Sequence, residues 1–200
     1  QMYVYTAPGT VPDFKATPST VIQGNNVTLT WGTPGGTIPG VTYKLYGTSP
    51  GTSEALLVDS TAQSSVRTPN KLGTYQYRVR ACNPGGLCGG SKTINVVSNP
   101  PKPGQATAYS VPEFVPVNVN YTISWGAASG VVERYELYEG ADLIYSGTGL
   151  SKVLNHKTAG YRLYQLRACN VTGCSADVAA GSTIYDVAGA VTGFAATPAT

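Results

Sequence analysis

From position 75 the chain alternates strictly. Tyr75, Tyr77, Val79 and Ala81 fall on one parity and Gln76, Arg78, Arg80 and Cys82 on the other. An extended backbone turns successive side chains to opposite faces, so this pattern predicts a strand with one face in a core and one toward water. The stretch returns at Arg162 through Asn170, with Tyr164, Leu166 and Ala168 on the apolar parity. The chain therefore carries two copies of one unit. Val27, Leu29 and Trp31 form another apolar face, repeated by Tyr121, Ile123 and Trp125. Further strands are predicted at Tyr43–Tyr46 with Tyr135–Tyr138, at Ala55–Val58 with Leu143–Tyr145, and at Lys92–Val97.

Turn residues separate these runs at short, regular intervals, and no apolar stripe of helical period exceeds a turn or two. The expectation is all-β: two tandem antiparallel sandwiches of roughly seven strands each. The tryptophans repeat at 125 − 31 = 94 residues and the cysteines at 169 − 82 = 87, so the second copy has shed loop residues between them. The missing residues are the counterparts of Pro34–Gly40 and Thr48–Glu54. Pro100, Pro101 and Pro103 favour an extended, semi-rigid backbone without ladder donors, which reads as a linker. The expected domains are 11–99 and 105–188, joined by 100–104. Residues 1–10 are read as the end of a preceding repeat and 189–200 as the start of a following one. The last two readings rest on a constant offset of 183 − 3 = 180, which places Thr183–Tyr185 on Tyr3–Tyr5 and Phe194 on Phe14. On that basis the segment is expected to come from a longer array. The terminal segment with Val191 and Phe194 is expected to fray in an isolated chain or, if ordered, to pack on the second sandwich or on a neighbouring chain.

Composition narrows the partners. Thirteen basic and ten acidic residues leave a formal charge of +3 with no basic block, so nucleic acid is not expected. No apolar run approaches the roughly 18 residues of a membrane span, so no membrane insertion is expected.

With Trp31 and Trp125 in the second strand, Tyr43 and Tyr135 opening the third, and Tyr75–Asn83 in the sixth, the chain resembles tandem fibronectin type III domains of the immunoglobulin-like class. The resemblance covers nearly all of Val11 to Val187. The variant ending Arg-Ala-Cys-Asn, at Arg80–Asn83 and Arg167–Asn170, is similar to modules in large secreted or surface proteins of bacteria. Among these are multidomain hydrolases and Rhs/YD-repeat proteins, where such modules act as spacers. The family's buried tyrosine corner fits Tyr75, whereas the second copy has Arg162 there and Tyr161 one residue early. Either the strand is bulged near Gly160 or the corner is lost.

Cys82 and Cys169 lie on the outward parity, and no cysteine occurs in the Trp strands, so a bridge across the sandwich is not expected. Cys88 follows Cys82 by six residues and Cys174 follows Cys169 by five, which favours two local disulfides over a metal site. His156 reads as a solvated loop residue without a nucleophile or orienting acid. Neither paired carboxylates nor a calcium-loop pattern appears, so no cofactor or metal and no catalytic residue is expected. Asn26, Asn120 and Asn170 open glycosylation triplets but read as ordinary strand residues.

One surface constellation remains: the outward face of the third and sixth strands. It carries Lys44, Tyr46, Gln76, Arg78 and Arg80 in the first copy and Glu136, Tyr138, Gln165 and Arg167 in the second. Tyr46, Arg78, Arg80, Tyr138 and Arg167 are the candidate binding residues, since guanidinium planes stacked on tyrosine could hold a sugar or peptide. The competing reading is cross-strand stabilisation of a wet sheet. The function expected is a non-enzymatic spacer of an extracellular or cell-surface array, fibre-forming in one version. Its partners would be neighbouring repeats of the same chain or like chains. The alternatives are a glycan- or protein-binding module and an accessory domain of a secreted hydrolase or Rhs/YD-repeat protein.

Overall fold

A computed structural model describes residues 6–36 and 39–189. The expectations for Tyr3–Tyr5 and for Val191 and Phe194 lie outside the described residues. The chain divides into two compact units, Gln1–Pro101 and Lys102–Thr200.

The first unit contains β1 (Lys15–Thr17), β2 (Thr20–Ile22), β3 (Val27–Thr30), β4 (Thr42–Thr48), β5 (Ala55–Ser60), β6 (Ser64–Arg67), β7 (Gly73–Cys82) and β8 (Lys92–Asn99). They form a three-stranded sheet, β1-β3-β6, and a five-stranded sheet, β2-β8-β7-β4-β5. The second contains β9 (Thr107–Ser110), β10 (Phe114–Pro116), β11 (Tyr121–Gly126), β12 (Arg134–Glu139), β13 (Asp142–Gly147), β14 (Ser151–Leu154), β15 (Gly160–Asn170), β16 (Gly173–Cys174) and β17 (Val178–Tyr185). Its sheets run β14-β11-β9 and β10-β17-β15-β12-β13, with β16 paired to the end of β15. Both units are all-β sandwiches with the fibronectin type III strand order.

Two details depart from the expectation. The pairing is not wholly antiparallel, because the first strand of each unit splits between the sheets. β1 pairs antiparallel with β3, while β2 pairs parallel with β8. Pro18 lies between them and has no N–H to continue the first ladder. In the second unit β9 serves β11 and β10 runs parallel to β17. The other departure is β6 and β14, which have no counterpart among the strands predicted from sequence. Ser64–Arg67 and Ser151–Leu154 are short and polar, and they become strands by pairing with β3 and β11.

The alternation sorts the side chains as anticipated. Tyr75, Tyr77, Val79 and Ala81 are buried in the first core, with Val27, Leu29 and Leu45 beside them. Trp31 lies between Phe14 and Tyr43, with ring centroids 6.0 and 5.9 Å away. In the second core Trp125 meets Tyr135 and Tyr145 at 5.9 and 5.7 Å, above Ile123, Leu137 and Leu166. Burying each of these aliphatic side chains is worth about 2 kcal/mol, which is why inward parity is fixed strand by strand.

Candidate functional site

In the first unit β4 and β7 lie antiparallel with Lys44 opposite Arg80 and Tyr46 opposite Arg78. Because their neighbours Tyr43, Leu45 and Val79 are anchored in the core, these four side chains emerge together on the outer face. Arg78 sits over the Tyr46 ring at 4.2 Å. Its Nε and Nη2 donate to Glu54 Oε1 and Oε2 at 2.9 and 2.6 Å, a forked pair. Arg80 donates to the Tyr46 hydroxyl at 3.0 Å, and Lys44 reaches Asp59 at 3.4 Å. The hydrogen bond from Arg78 holds the Glu54 carboxyl below its ordinary value.

In the second unit the corresponding register sets Glu136 opposite Arg167 and Tyr138 opposite Gln165. The acid now stands on the strand itself. Glu136 accepts from Arg134 Nε at 2.8 Å, from Arg167 Nε at 2.9 Å and from the Tyr138 hydroxyl at 3.0 Å. Arg167 also lies 4.7 Å above the Tyr138 ring and donates to its hydroxyl at 2.6 Å. Although on the outward parity, Glu136 is only 7% exposed, covered by these partners. Burial pushes its carboxyl up, but the hydrogen bonds from Arg167, Arg134 and Tyr138 outweigh it, and the carboxyl stays below its ordinary value.

The structure thus brings Tyr46 to Arg78 and Arg80, and Tyr138 to Arg167. The acids that complete each group, Glu54 and Glu136, were not part of the candidate set. A signal existed: the second copy loses the Thr48–Glu54 loop and simultaneously replaces Arg78 by Gln165. Acid and base vanish together.

The four cysteines form two local disulfides, Cys82–Cys88 and Cys169–Cys174, each with Cα atoms 4.0 Å apart. Cys82 and Cys169 keep the outward parity, yet they are 3% and 0% exposed, contrary to the solvent-facing placement that parity implied. The bridged turn folds back over the strand end. Gly89 N–H donates to Ala81 O and Ser175 N–H to Ala168 O, both at 2.8 Å, which closes each turn over its sulfurs. Glu136, Cys169 and Cys174 offer ligand atoms within 4.8 Å of one another. Both sulfurs are consumed in the disulfide, so the trio supplies no thiolate to a metal.

Asn83 and Asn170, immediately after the first cysteine of each pair, are both buried. Asn170 donates to Val131 O at 3.0 Å from within β15. Asn26 and Asn120 precede their strands rather than lying in them, and both are exposed.

His156 is not the solvated residue expected. Its Nε2 lies 2.8 Å from the Tyr164 hydroxyl and 3.5 Å from Glu139 Oε2, and its ring packs on Tyr121. Tyr164 and Tyr121 hydroxyls are 2.5 Å apart, and Arg162 bridges Glu139 at 3.5 Å and Thr158 at 3.0 Å. Burial raises both phenols above their ordinary range, keeping them neutral. This group replaces the tyrosine corner, which Tyr75 forms in the first unit by accepting from Lys71 N–H at 2.8 Å. β15 pairs with β17 in unbroken register from Gly160 onward, so no bulge restores a corner, and Tyr161 points outward at 68% exposure.

Chemically, both outer faces are lattices of guanidinium, carboxylate and phenol, each with one more cation than acid: Lys44, Arg78 and Arg80 with Glu54 and Asp59 in the first unit, Arg134 and Arg167 with Glu136 in the second. Arg78 and Arg167 would have to give up their own partners to bind a ligand, whereas Arg80 has the Tyr46 hydroxyl but no described carboxylate.

No protein-family model matches the chain, and no curated protein sequence matches it. Solved structures with a similar fold include the fibronectin(III)-like modules of CbhA from Clostridium thermocellum, 13% identical, covering 90% of this chain and 91% of that one at a TM-score of 0.43. A segment of two fibronectin type III domains from chicken tenascin is 15% identical, covering 86% and 97% at 0.49. The FN1–FN3 domains of chicken CNTN1 are 16% identical, covering 90% and 67% at 0.37. The sheet order itself fixes the fold: each unit is an immunoglobulin-like sandwich of fibronectin type III topology.

Proposed function

We propose that the chain is a non-catalytic spacer, two sandwich modules that set distance within a larger extracellular or surface protein built of such modules. The observation that carries this reading is that both stacked arginines of the outer faces already hold an acid, while Arg80 is left with the Tyr46 hydroxyl and no described carboxylate. Arg78 is stacked on Tyr46 and forked onto Glu54, and Arg167 is stacked on Tyr138 and bonded to Glu136. The aromatic and cationic groups that a glycan or peptide would need on these faces serve the modules themselves. The two disulfides fit an oxidising compartment, which supports secretion. The partners in this reading are neighbouring repeats of the same chain or of like chains.

The test is retention of the intact chain on glycan and peptide arrays, beside the double variants Tyr46→Ala/Arg78→Ala and Tyr138→Ala/Arg167→Ala. Equal behaviour of all three proteins is expected. A ligand held by the parent chain and lost in either variant makes the face a binding site and overturns the spacer reading.

A further inference from the structure

The first unit has a cavity of about 200 Å³ beside β4, β6 and β7, lined by Gly47, Arg67, Tyr75, Tyr77 and the hydroxyl-bearing Thr48 and Thr68. Arg67 is poorly matched there. Its Nη2 donates to Leu57 O at 3.3 Å, but its buried Nε has no hydrogen-bond partner among the described residues. Arg78, Arg134, Arg162 and Arg167 each have a carboxylate within 4.0 Å, whereas no described carboxylate pairs with Arg67 or Arg80, and of these two only Arg67 lines the cavity. The Tyr77 hydroxyl likewise makes no hydrogen bond to a described residue, and burial raises its phenol, leaving a neutral O–H donor.

The second unit shows what this position holds when it is filled. Strand registers place Glu139 where Gly47 stands, Arg162 at Tyr75, Tyr164 at Tyr77 and Leu154 at Arg67. There Glu139 meets Arg162 and His156, both at 3.5 Å, and the Tyr164 hydroxyl is bonded to Tyr121 and His156. One sandwich thus supplies its own carboxylate and satisfies its phenol. The other has a glycine in place of the carboxylate, an arginine without an acid, a phenol without a partner, and open space.

We propose that the cavity of the first unit binds a small hydroxylated carboxylate, the size of a hydroxy acid or a single acidic sugar. The ligand's carboxylate accepts from the Arg67 guanidinium and the Tyr77 hydroxyl, and its hydroxyls meet Thr48 and Thr68. Charge-assisted donors in a half-enclosed site favour an anion over a neutral sugar. The volume lies below the range for drug-sized ligands, which limits the occupant to one such unit. This site is separate from the outer faces, so its failure leaves the spacer reading untouched.

The experiment is a proton–nitrogen NMR titration of the intact chain with glucuronate, lactate and glucose, following the Gly47 amide and the Arg67 Nε–H. Glucuronate is expected to shift both signals saturably, and glucose to leave them in place. Lactate decides whether the carboxylate with one hydroxyl suffices. Arg67→Leu, the residue of the second unit, should weaken binding about tenfold or more, the worth of one charge-assisted contact. Gly47→Glu, which installs the internal carboxylate, should abolish binding. Its added Cβ meets only the flexible end of Leu57 at 2.5 Å and Tyr77 ring atoms at 3.2 Å. If that variant does not fold, Arg67→Leu alone decides. Absence of saturable shifts with both acids, equal shifts with glucose, or unchanged binding by Arg67→Leu each overturns the proposal.

Discussion

The two outer faces solve one problem in opposite ways. Arg80 on β7 and Arg167 on β15 occupy the same position, but the first faces a lysine and the second a glutamate. With Lys44 opposite Arg80, the first face has like charges across the ladder, which is destabilising. It recruits acid from outside the pair: Asp59 from β5 for Lys44, and Glu54 from the β4–β5 loop for Arg78. The second face needs no loop, because Glu136 stands in register with Arg167, and its β12–β13 turn contracts to Gly140 and Ala141. The difference teaches that loop length and strand charge are coupled. A loop can be shortened when the strand already carries the counter-charge.

The largest effect expected is therefore at Glu136. Glu136→Ala should destabilise the second unit by about 2–3 kcal/mol in denaturant unfolding, since it leaves Arg167, Arg134 and Tyr138 without their shared acceptor. The same carboxyl gives a pH signature. Its folded value lies below the ordinary 4.5, so its contribution is fully present above that value and is lost as pH falls through the folded one. Unfolding free energy should drop as pH falls below the ordinary 4.5, with a shallower drop in Glu136→Gln. An identical slope in that variant would remove Glu136 from the account.

Next in size are the disulfides. Replacing Cys82 and Cys88, or Cys169 and Cys174, by alanine should cost about 2 kcal/mol in either unit, because the closed loops are nearly equal in length. A large inequality would show that the buried sulfurs matter more than loop closure.

The tyrosines give a sharper contrast. Tyr164→Phe strips a partner from both Tyr121 and His156 and should cost about 1–2 kcal/mol, whereas Tyr77→Phe at the equivalent position should change stability by less than about 0.5 kcal/mol. Similar costs would mean that the first unit's phenol has a partner after all.

The smallest effect belongs to the loop acid. Glu54→Ala breaks a forked pair whose side chains remain 26% and 39% exposed, and about 0.5 kcal/mol is expected, vanishing at high salt. A loss as large as that of Glu136→Ala would erase the distinction between strand acid and loop acid.

What could be read in advance follows the range of each interaction. The alternation of Tyr75–Ala81 and its second copy records burial directly, so the cores, the two-unit plan and the outward Tyr and Arg positions were legible. Parity failed at Cys82 and Cys169 because it reports direction and not cover, and the cover comes from the following turn. His156 depends on Glu139 and Tyr164, one before it and one after it in the chain, and nothing in its own loop announces them. β6 and β14 escaped because strands such as Ser-Ser-Val-Arg owe their existence to partners more than to any pattern of their own.

The sheet-switching first strand has a consequence under tension. β2 exchanges ladder contacts with β8 over Thr20–Ile22 and Val97–Asn99, and β10 does the same with β17, in both cases parallel. Stretching the chain pulls the entering strand toward one end of the sandwich and the leaving strand toward the other. Neighbouring parallel strands loaded from opposite ends slide along each other, so their bonds share the force and yield together. Antiparallel neighbours drawn from the same end would instead open one bond at a time. The three residue pairs at each edge act as a shear clasp between the points where the chain enters and leaves its sandwich.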